Sequence, residues 1–299
     1  MLNDFLDSLK LQGKSDLTIQ QYQSTWNRLE KWWINANNDP LHTPHTPIYV
    51  LQSITQLDIA NFKRYLTNKY KPSTTSITLT QLRVIFQFYV NKGIIPDNPA
   101  TYVDNVPVTI SSPKWLNRNE QNSLIREVRK NSNLREITII TLLLHTGLRV
   151  EEAVELKLTD IRLTDRKGMI FVRKGKGGKY REIPLNKDAR QALQRYLEEH
   201  KPKGLYLIDT QRSDKTTTRA IQHIVEKYRK KTEIDHLTCH SLRHTFGHEL
   251  AQRKIPLDVI ARLMGHTKSD GTPNLTMTSR YTQPGEEDLT KAVEELNWT

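Results

Sequence analysis

His240-Ser241-Leu242-Arg243-His244 places a histidine, an arginine and a second histidine within five residues of a helical stretch. On one helix these strong hydrogen-bond donors stand side by side. Downstream come Gly265-His266, where a glycine suited to ending a helix delivers a histidine, and then Tyr281, whose hydroxyl can serve as a nucleophile. Donors beside a nucleophile, in a basic chain, point to chemistry on a phosphodiester. Tyr281 is one of 11 tyrosines, so its weight comes from its position after the cluster.

Working outward, Thr146-Gly147-Leu148-Arg149-Val150-Glu151-Glu152 supplies a second arginine. A helix ends at Gly147 and another starts near Arg149, so this side chain can project into a cleft. Arginine suits a phosphate because its fork donates two parallel hydrogen bonds and stays charged. A surface pair of Arg149 with Glu152 at i, i+3 is the plainer account of these two residues alone.

Arg173-Lys174-Gly175-Lys176-Gly177-Gly178-Lys179-Tyr180-Arg181 joins two short strands, 169–172 and 181–185, and holds five basic residues and three glycines. The spacing is not that of a P-loop, and the turn links strand to strand. It reads as a hairpin reaching into a DNA groove, with Lys176 near the reacting phosphate, or as a solvated basic hairpin. His240, His244 and His248 fall at i, i+4 and i+8, a spacing that can bind a transition metal. Arg243 in their midst repels a cation, and no acidic ligand stands in register. His248 reads as an ordinary hydrogen-bonded helix residue.

The 299 residues are enough for two domains and carry 45 Lys and Arg against 33 Asp and Glu, a net charge of +12. Residues 1–100 hold 10 and 7 of these, so a net of +9 sits in the remainder. That excess points to a polyanion, nucleic acid first, because phosphate neutralisation releases counterions. No apolar run is long enough to span a membrane. The N-terminus lacks a signal-peptide pattern, and Cys239 has no disulfide partner. A cytoplasmic, nucleoid-associated protein without a membrane anchor is expected.

Ile19, Tyr22, Trp26, Leu29 and Trp33 recur at helical steps behind the N-cap candidate Ser15. Helices also fit 55–69 and 74–92, with a loop at 36–50 and an extended linker at 101–113 containing Pro107 and Pro113. Further on, helices are predicted over 117–131, 134–146, 150–157, 187–199, 216–231, 240–253 and 256–264. A final amphipathic segment, 286–297, carries Leu289, Val293 and Leu296 on one face. The fold class is mainly α with a small β-sheet.

Together these motifs resemble the tyrosine recombinases, the integrase and Xer-like family, along nearly the whole chain. Thr146 to Glu152 looks like the family's first arginine box, and Gly175 to Leu185 like its lysine hairpin. His240 to His244 looks like the second box, completed by Gly265-His266 and Tyr281. Thr18-Ile19, Tyr22 and Asn98-Pro99 are similar to the helical core-binding domain. His266 and Tyr281 stand 15 positions apart, wider than many members show, and Lys268 to Leu275 reads as a loop insertion.

The resemblance implies a helical core-binding DNA-binding domain over 1–102, a linker over 103–113 and a catalytic domain over 114–299 with a C-terminal exchange helix, closing on DNA as a C-shaped clamp. It implies that Tyr281 attacks DNA to form a 3′-phosphotyrosyl link, with Arg149 and Arg243 on the non-bridging oxygens. Lys176 would protonate the leaving 5′-oxygen, His240 act as base or hydrogen-bond partner, His266 donate to a phosphate oxygen, and Glu152 brace His240 and its helix. Arg173, Lys174, Lys179 and Arg181 would bind DNA. No cofactor and no metal are implied. The partners are double-stranded DNA with an inverted-repeat core site and three further copies of the chain on two such sites, passing through a Holliday junction, with room for an accessory protein. The absence of a long arm-binding segment before Ser15 tilts the role towards Xer-like or transposon cointegrate resolution rather than phage or mobile-element integration. Rival readings are a non-catalytic DNA-binding protein, a type IB topoisomerase and a metal-dependent nuclease; the last would need acidic clusters that the sequence lacks.

Overall fold

The computed structural model describes residues 2–37, 51–108, 114–173, 180–268, 270–282, 290 and 293–296. The chain divides into two compact units, Met1–Ile110 and Ser111–Thr299.

The first unit is built from α1 (Leu2–Leu11), α2 (Asp16–Asn37), α3 (Gln56–Lys69) and α4 (Pro72–Asn91). Each start has a local cause. The Ser15 hydroxyl accepts from the Thr18 amide at 3.3 Å, Thr55 and Asp58 form a reciprocal capping box, and Pro72 opens α4 where its missing N–H costs nothing. Trp26, Leu29 and Trp33 of α2 are buried with Phe5, Phe62, Leu66, Leu82, Phe86 and Tyr89 in one core, so the helical stripe predicted for α2 faces inward. The sequence reading missed α1, whose ten residues bury Phe5, Leu6 and Leu9. Of the expected loop at 36–50, residues 38–50 lie outside the described set, and of the expected linker, 109–113 do. Arg83 of α4 fastens the segment after its helix, donating to the carbonyls of Ala100 and Val103 and to Asn105.

The second unit contains α5 (Arg118–Lys130), α6 (Leu134–Thr146), α7 (Val150–Glu155), α8 (Lys187–Arg195), α9 (Thr218–Thr232), α10 (Cys239–Gln252), α11 (Leu257–Met264) and the single turn α12 (Leu275–Thr278). Between α7 and α8 lies an antiparallel sheet ordered β1 (Ile161–Leu163), β2 (Gly168–Val172), β3 (Arg181–Pro184). Its register pairs Ile161 with Ile170, Ile170 with Ile183, and Val172 with Arg181. Three residues are too few to show an alternating pattern, and β1 was not anticipated. Helix α6 is central: Ile139, Ile140, Leu142, Leu143 and Leu144 are all buried among residues of α5, α8, α9 and the sheet. Seven of its thirteen residues are buried, as befits a helix set inside a core. Lys174, Lys176 and Lys179 fall between β2 and β3 but lie outside the described residues, as does most of the expected helix 286–297. Among the described residues no helix is long and apolar enough to cross a membrane.

Candidate active site

Two helices of the second unit end in the same way, and each end delivers a polar side chain. Gly147 closes α6 at φ +60° and Gly265 closes α11 at φ +65°, left-handed conformations that favour glycine. Space imposes the same choice. A Cβ at Gly147 would lie 2.4 Å from Cδ1 of Phe246, and one at Gly265 would lie 2.8 Å from Nη1 of Arg181. Arg149 follows the first turn and His266 the second.

Helix α10 brings the remaining groups. Thr238 caps it, accepting from the Ser241 amide at 2.9 Å while the Ser241 hydroxyl accepts from the Thr238 amide at 2.8 Å. Arg243, one turn on, is buried, and its guanidinium donates to the carbonyls of Gly147 and Met264, at the C-terminal ends of α6 and α11. A cation there complements both helix dipoles. Its Nη2 also lies 3.1 Å from Nε2 of His266. Tyr281 is 3% exposed. Its ring stacks on His266 at 5.7 Å between centroids with planes 10° apart and rests on the bare Cα of Gly247.

Arg149, His240, Arg243, His244, His266 and Tyr281 thus line a single cavity of about 500 Å³, with Cys239 and Arg280 also in its wall. The wide spacing between His266 and Tyr281 does not separate them. Thr267 is bridged to Pro273. The Asn274 amide then returns to the His266 carbonyl at 2.8 Å.

The electrostatics follow from burial among cations. Burial, then the charges of Arg243, Arg149 and Arg181, hold the His266 imidazole at about 3. Burial, His240 and Arg243 hold His244 at about 4. Desolvation of its cavity face, with Arg243 and Arg149 nearby, also lowers His240. Burial and Arg149 bring Arg243 down to about 10, which leaves it charged at neutral pH. Burial raises the Tyr281 phenol, opposed by Arg243 and Arg149.

Three of the expected roles change. Arg181, expected on the DNA surface, is 7% exposed. Its Nη1 and Nη2 donate to the two carboxylate oxygens of Glu152, and its Nε to the Leu263 carbonyl at 2.9 Å. It faces inward because position 181 pairs with Val172 on the buried face of the sheet. Glu152, expected to brace His240, instead gathers arginines: it accepts from the Arg149 amide at 2.8 Å and from Arg149 Nη1 at 3.0 Å as well as from Arg181. His266, expected to donate to a phosphate, has both ring nitrogens engaged. The Thr278 hydroxyl donates to the Asn274 carbonyl, so it accepts from His266 Nδ1 at 3.2 Å, and Nε2 faces the Arg243 donor. Arg173 donates to Asp160 through Nε at 2.5 Å and keeps most of its side chain in solvent.

Gly247 carried no legible signal in the sequence. Arg280, adjoining Tyr281, could have been found by its charge. Among the described residues no group of three or more His, Cys, Asp or Glu is arranged to hold a metal ion. His248 points instead to the Tyr281 carbonyl.

The phage integrase family profile matches residues 114–287. The chain is 29% identical to the tyrosine recombinase XerA of Pyrococcus horikoshii over 98% of its own length and 92% of the relative's. It is 31% identical to XerC of Thermodesulfovibrio yellowstonii over 94% and 90%. Its fold matches the lambda integrase (75–356) dimer bound to a COC′ core site, with a TM-score of 0.73 at 20% identity over 94% of this chain and 93% of that one. It also matches XerH recombinase bound to palindromic difH, with a TM-score of 0.72 at 23% identity over 93% and 79%. A profile spanning more than half of the chain, relatives similar along almost all of it, and an arginine–histidine–tyrosine cavity together mean that the chain belongs to the phage integrase family, the tyrosine recombinases.

Proposed function

We propose that this site-specific DNA recombinase cuts and rejoins DNA with Tyr281 as its nucleophile, and that its role is Xer-like or transposon cointegrate resolution. The observation that supports the chemistry most is the meeting of Tyr281, Arg149 and Arg243 in one cavity. The phenolic oxygen bonds to phosphorus, the bond from phosphorus to the 5′-oxygen breaks, and the 5′-hydroxyl leaves with a proton supplied by Lys176. The phosphodiester bond energy is kept in the 3′-phosphotyrosyl link, so rejoining needs no ATP. Arg149 and Arg243 hold the non-bridging oxygens, where negative charge grows in the transition state. Both arginines also favour the phenolate as Tyr281 loses its proton. His240, held neutral beside them, is suited to accept that proton.

His266 serves first as a positioning group for Arg243. It can donate to a phosphate oxygen only after Nε2 is protonated, and a bound anion favours that by offsetting the surrounding positive charge. Glu152 and Arg181 hold the arginine side of the cavity in place. Arg173, Lys174 and Lys179 contact DNA, the first unit serves as core-binding domain, and four copies exchange strands on two inverted-repeat sites through a Holliday junction. The names XerA and XerC among the relatives support the Xer-like reading.

Covalent trapping tests this reading. Wild-type protein and Y281F are incubated in EDTA with labelled, nicked duplexes drawn from the chain's own genomic neighbourhood. A denaturation-resistant adduct present with wild type and absent with Y281F is expected. No adduct on any DNA that is bound specifically would favour a DNA-binding protein without catalysis. An adduct that survives Y281F would move the nucleophile to another residue.

A further inference from the structure

The motifs at His240 and Arg243 leave the rest of α10 unassigned, yet its last two turns also touch Tyr281, through Gly247 and His248. Nδ1 of His248 lies 3.3 Å from the backbone carbonyl oxygen of Tyr281. A carbonyl can only accept, so Nδ1 carries the proton. Nε2 of the same ring faces the Gln252 amide nitrogen at 3.4 Å, which can only donate. The two partners therefore select one neutral tautomer, with the donor aimed at the nucleophile's backbone. The ring is also clamped from the side. It lies flat on Trp115, with 3.9 Å between centroids and planes 13° apart. Trp115 is fixed in turn, because its carbonyl lies 3.1 Å from His236 Nε2 and the next amide, that of Leu116, donates to the Thr245 hydroxyl at 2.9 Å.

We propose that His248 is a positioning residue for the Tyr281 nucleophile, with Trp115 as the plate that holds its ring. This rests on Tyr281 being the nucleophile. The geometry gives a reason for such a device. Tyr281 ends a short turn at Ser279–Tyr281 that follows the single helical turn α12, and so little local structure does not by itself hold a reacting oxygen in line with a phosphate. Helix α10 does so from one rigid body: Arg243 for the phosphate, Gly247 under the phenol ring, and His248 on the backbone of the same tyrosine. An error of about 1 Å in such a position costs on the order of 10²-fold in rate.

The test separates the donor from the ring. H248N keeps an amide N–H close to where Nδ1 stood and gives up the stacking surface. H248F keeps the flat ring and gives up the donor. Both are compared with wild type in single-turnover adduct formation on the nicked duplex that traps the wild-type protein, with DNA affinity measured on the same duplex. H248F is expected to bind DNA with wild-type affinity and to form adduct at least about tenfold more slowly, with H248N recovering most of that loss. Should H248F fail to bind DNA, H248A replaces it, since a smaller side chain cannot crowd Trp115. Wild-type cleavage by the donor-less variant, or cleavage by H248N as slow as by the donor-less variant, would overturn the proposal. Adduct formed by Y281F in the same assay would count against the nucleophile assignment itself rather than against the role of His248.

Discussion

Arg181 grips Glu152 with both ends of its fork, Nη1 to Oε1 at 2.8 Å and Nη2 to Oε2 at 2.7 Å, and the two side chains are only 6% and 3% exposed. One carboxylate thereby ties the sheet, through Arg181, to the start of α7, where it also holds Arg149. A buried charge left wholly uncompensated typically costs about 3–5 kcal/mol, and without Arg181 the Glu152 carboxylate still keeps Arg149 at 3.0 Å. Arg181→Met is therefore expected to destabilise the protein by up to about 3 kcal/mol in urea unfolding. Adding Glu152→Gln to it should recover part of the loss, because the half-paired charge is gone. Strictly additive effects would mean that the pair is not coupled.

The same carboxylate sets an acid limit. Burial pushes the Glu152 carboxyl up, but the Arg181 hydrogen bonds and charge and the Arg149 amide outweigh it and hold the group at about 2 against an ordinary 4.5. Because the folded value is the lower one, the stabilisation is complete above pH 4.5 and drains away as pH falls towards 2, amounting to roughly 3 kcal/mol. Unfolding free energies of wild type and Glu152→Gln should therefore diverge as pH rises through that window. Parallel curves would refute the assignment.

His266 acts in a higher window. Its imidazole is held at about 3 against an ordinary 6.5, so the folded state resists its protonation. Stability is full above pH 6.5 and falls as pH drops towards 3. Between pH 6.5 and 4.5 this one group accounts for about 2 kcal/mol. His266→Gln, which does not titrate, should lose less stability than wild type over that interval, read as the change in melting temperature. An equal loss would show that other groups dominate there.

Much of this architecture was legible because it rests on periodic burial. The stripe Ile19, Trp26, Leu29 and Trp33 announced α2, and Gly147 announced the end of α6. The cavity was legible because Arg149, His240, Arg243, His266 and Tyr281 are residue types whose chemistry survives without coordinates. What a linear reading could not give was direction. In Arg173 to Arg181 every cation looks alike, yet β-sheet alternation turns Arg181 inward to Glu152. Lys268 to Leu275 reads as a loop insertion before Tyr281, but the return of the Asn274 amide to the His266 carbonyl brings the chain back beside its start.

Gly247 separates position from stability. A Cβ there would stand 2.9 Å from Cγ and Cδ1 of Tyr281, so the phenol ring has to shift. In a helix interior alanine is otherwise favoured over glycine by about 1 kcal/mol. Gly247→Ala is expected to unfold within about 1 kcal/mol of wild type yet to form covalent adduct on the order of 10²-fold more slowly. Wild-type cleavage rates would show that the ring tolerates displacement and that the bare Cα is not required.

The two cavity arginines should fail in different ways, because Arg243 is buried deeper and ties two helix ends at once. Arg149 keeps 23% of its side chain exposed, donates to the Gly265 carbonyl at 3.3 Å and shares Glu152 with Arg181, so the carboxylate stays paired if Arg149 is truncated. Arg149→Ala should change unfolding free energy by about 1–2 kcal/mol while cleavage falls by about 10²-fold or more, as when an oxyanion donor is removed. Arg243 is buried and donates to the Gly147 and Met264 carbonyls while facing His266. Arg243→Ala strands these buried acceptors, each at about 1–3 kcal/mol, and unties the ends of α6 and α11. It should therefore lose several kcal/mol of stability together with its activity. Arg243→Lys, with one ammonium in place of a fork, cannot reach both helix ends at once and should fall between the two in stability. Equal stability of Arg149→Ala and Arg243→Ala in urea unfolding would remove the structural half of this distinction. Near-normal cleavage by Arg149→Ala would remove the catalytic half.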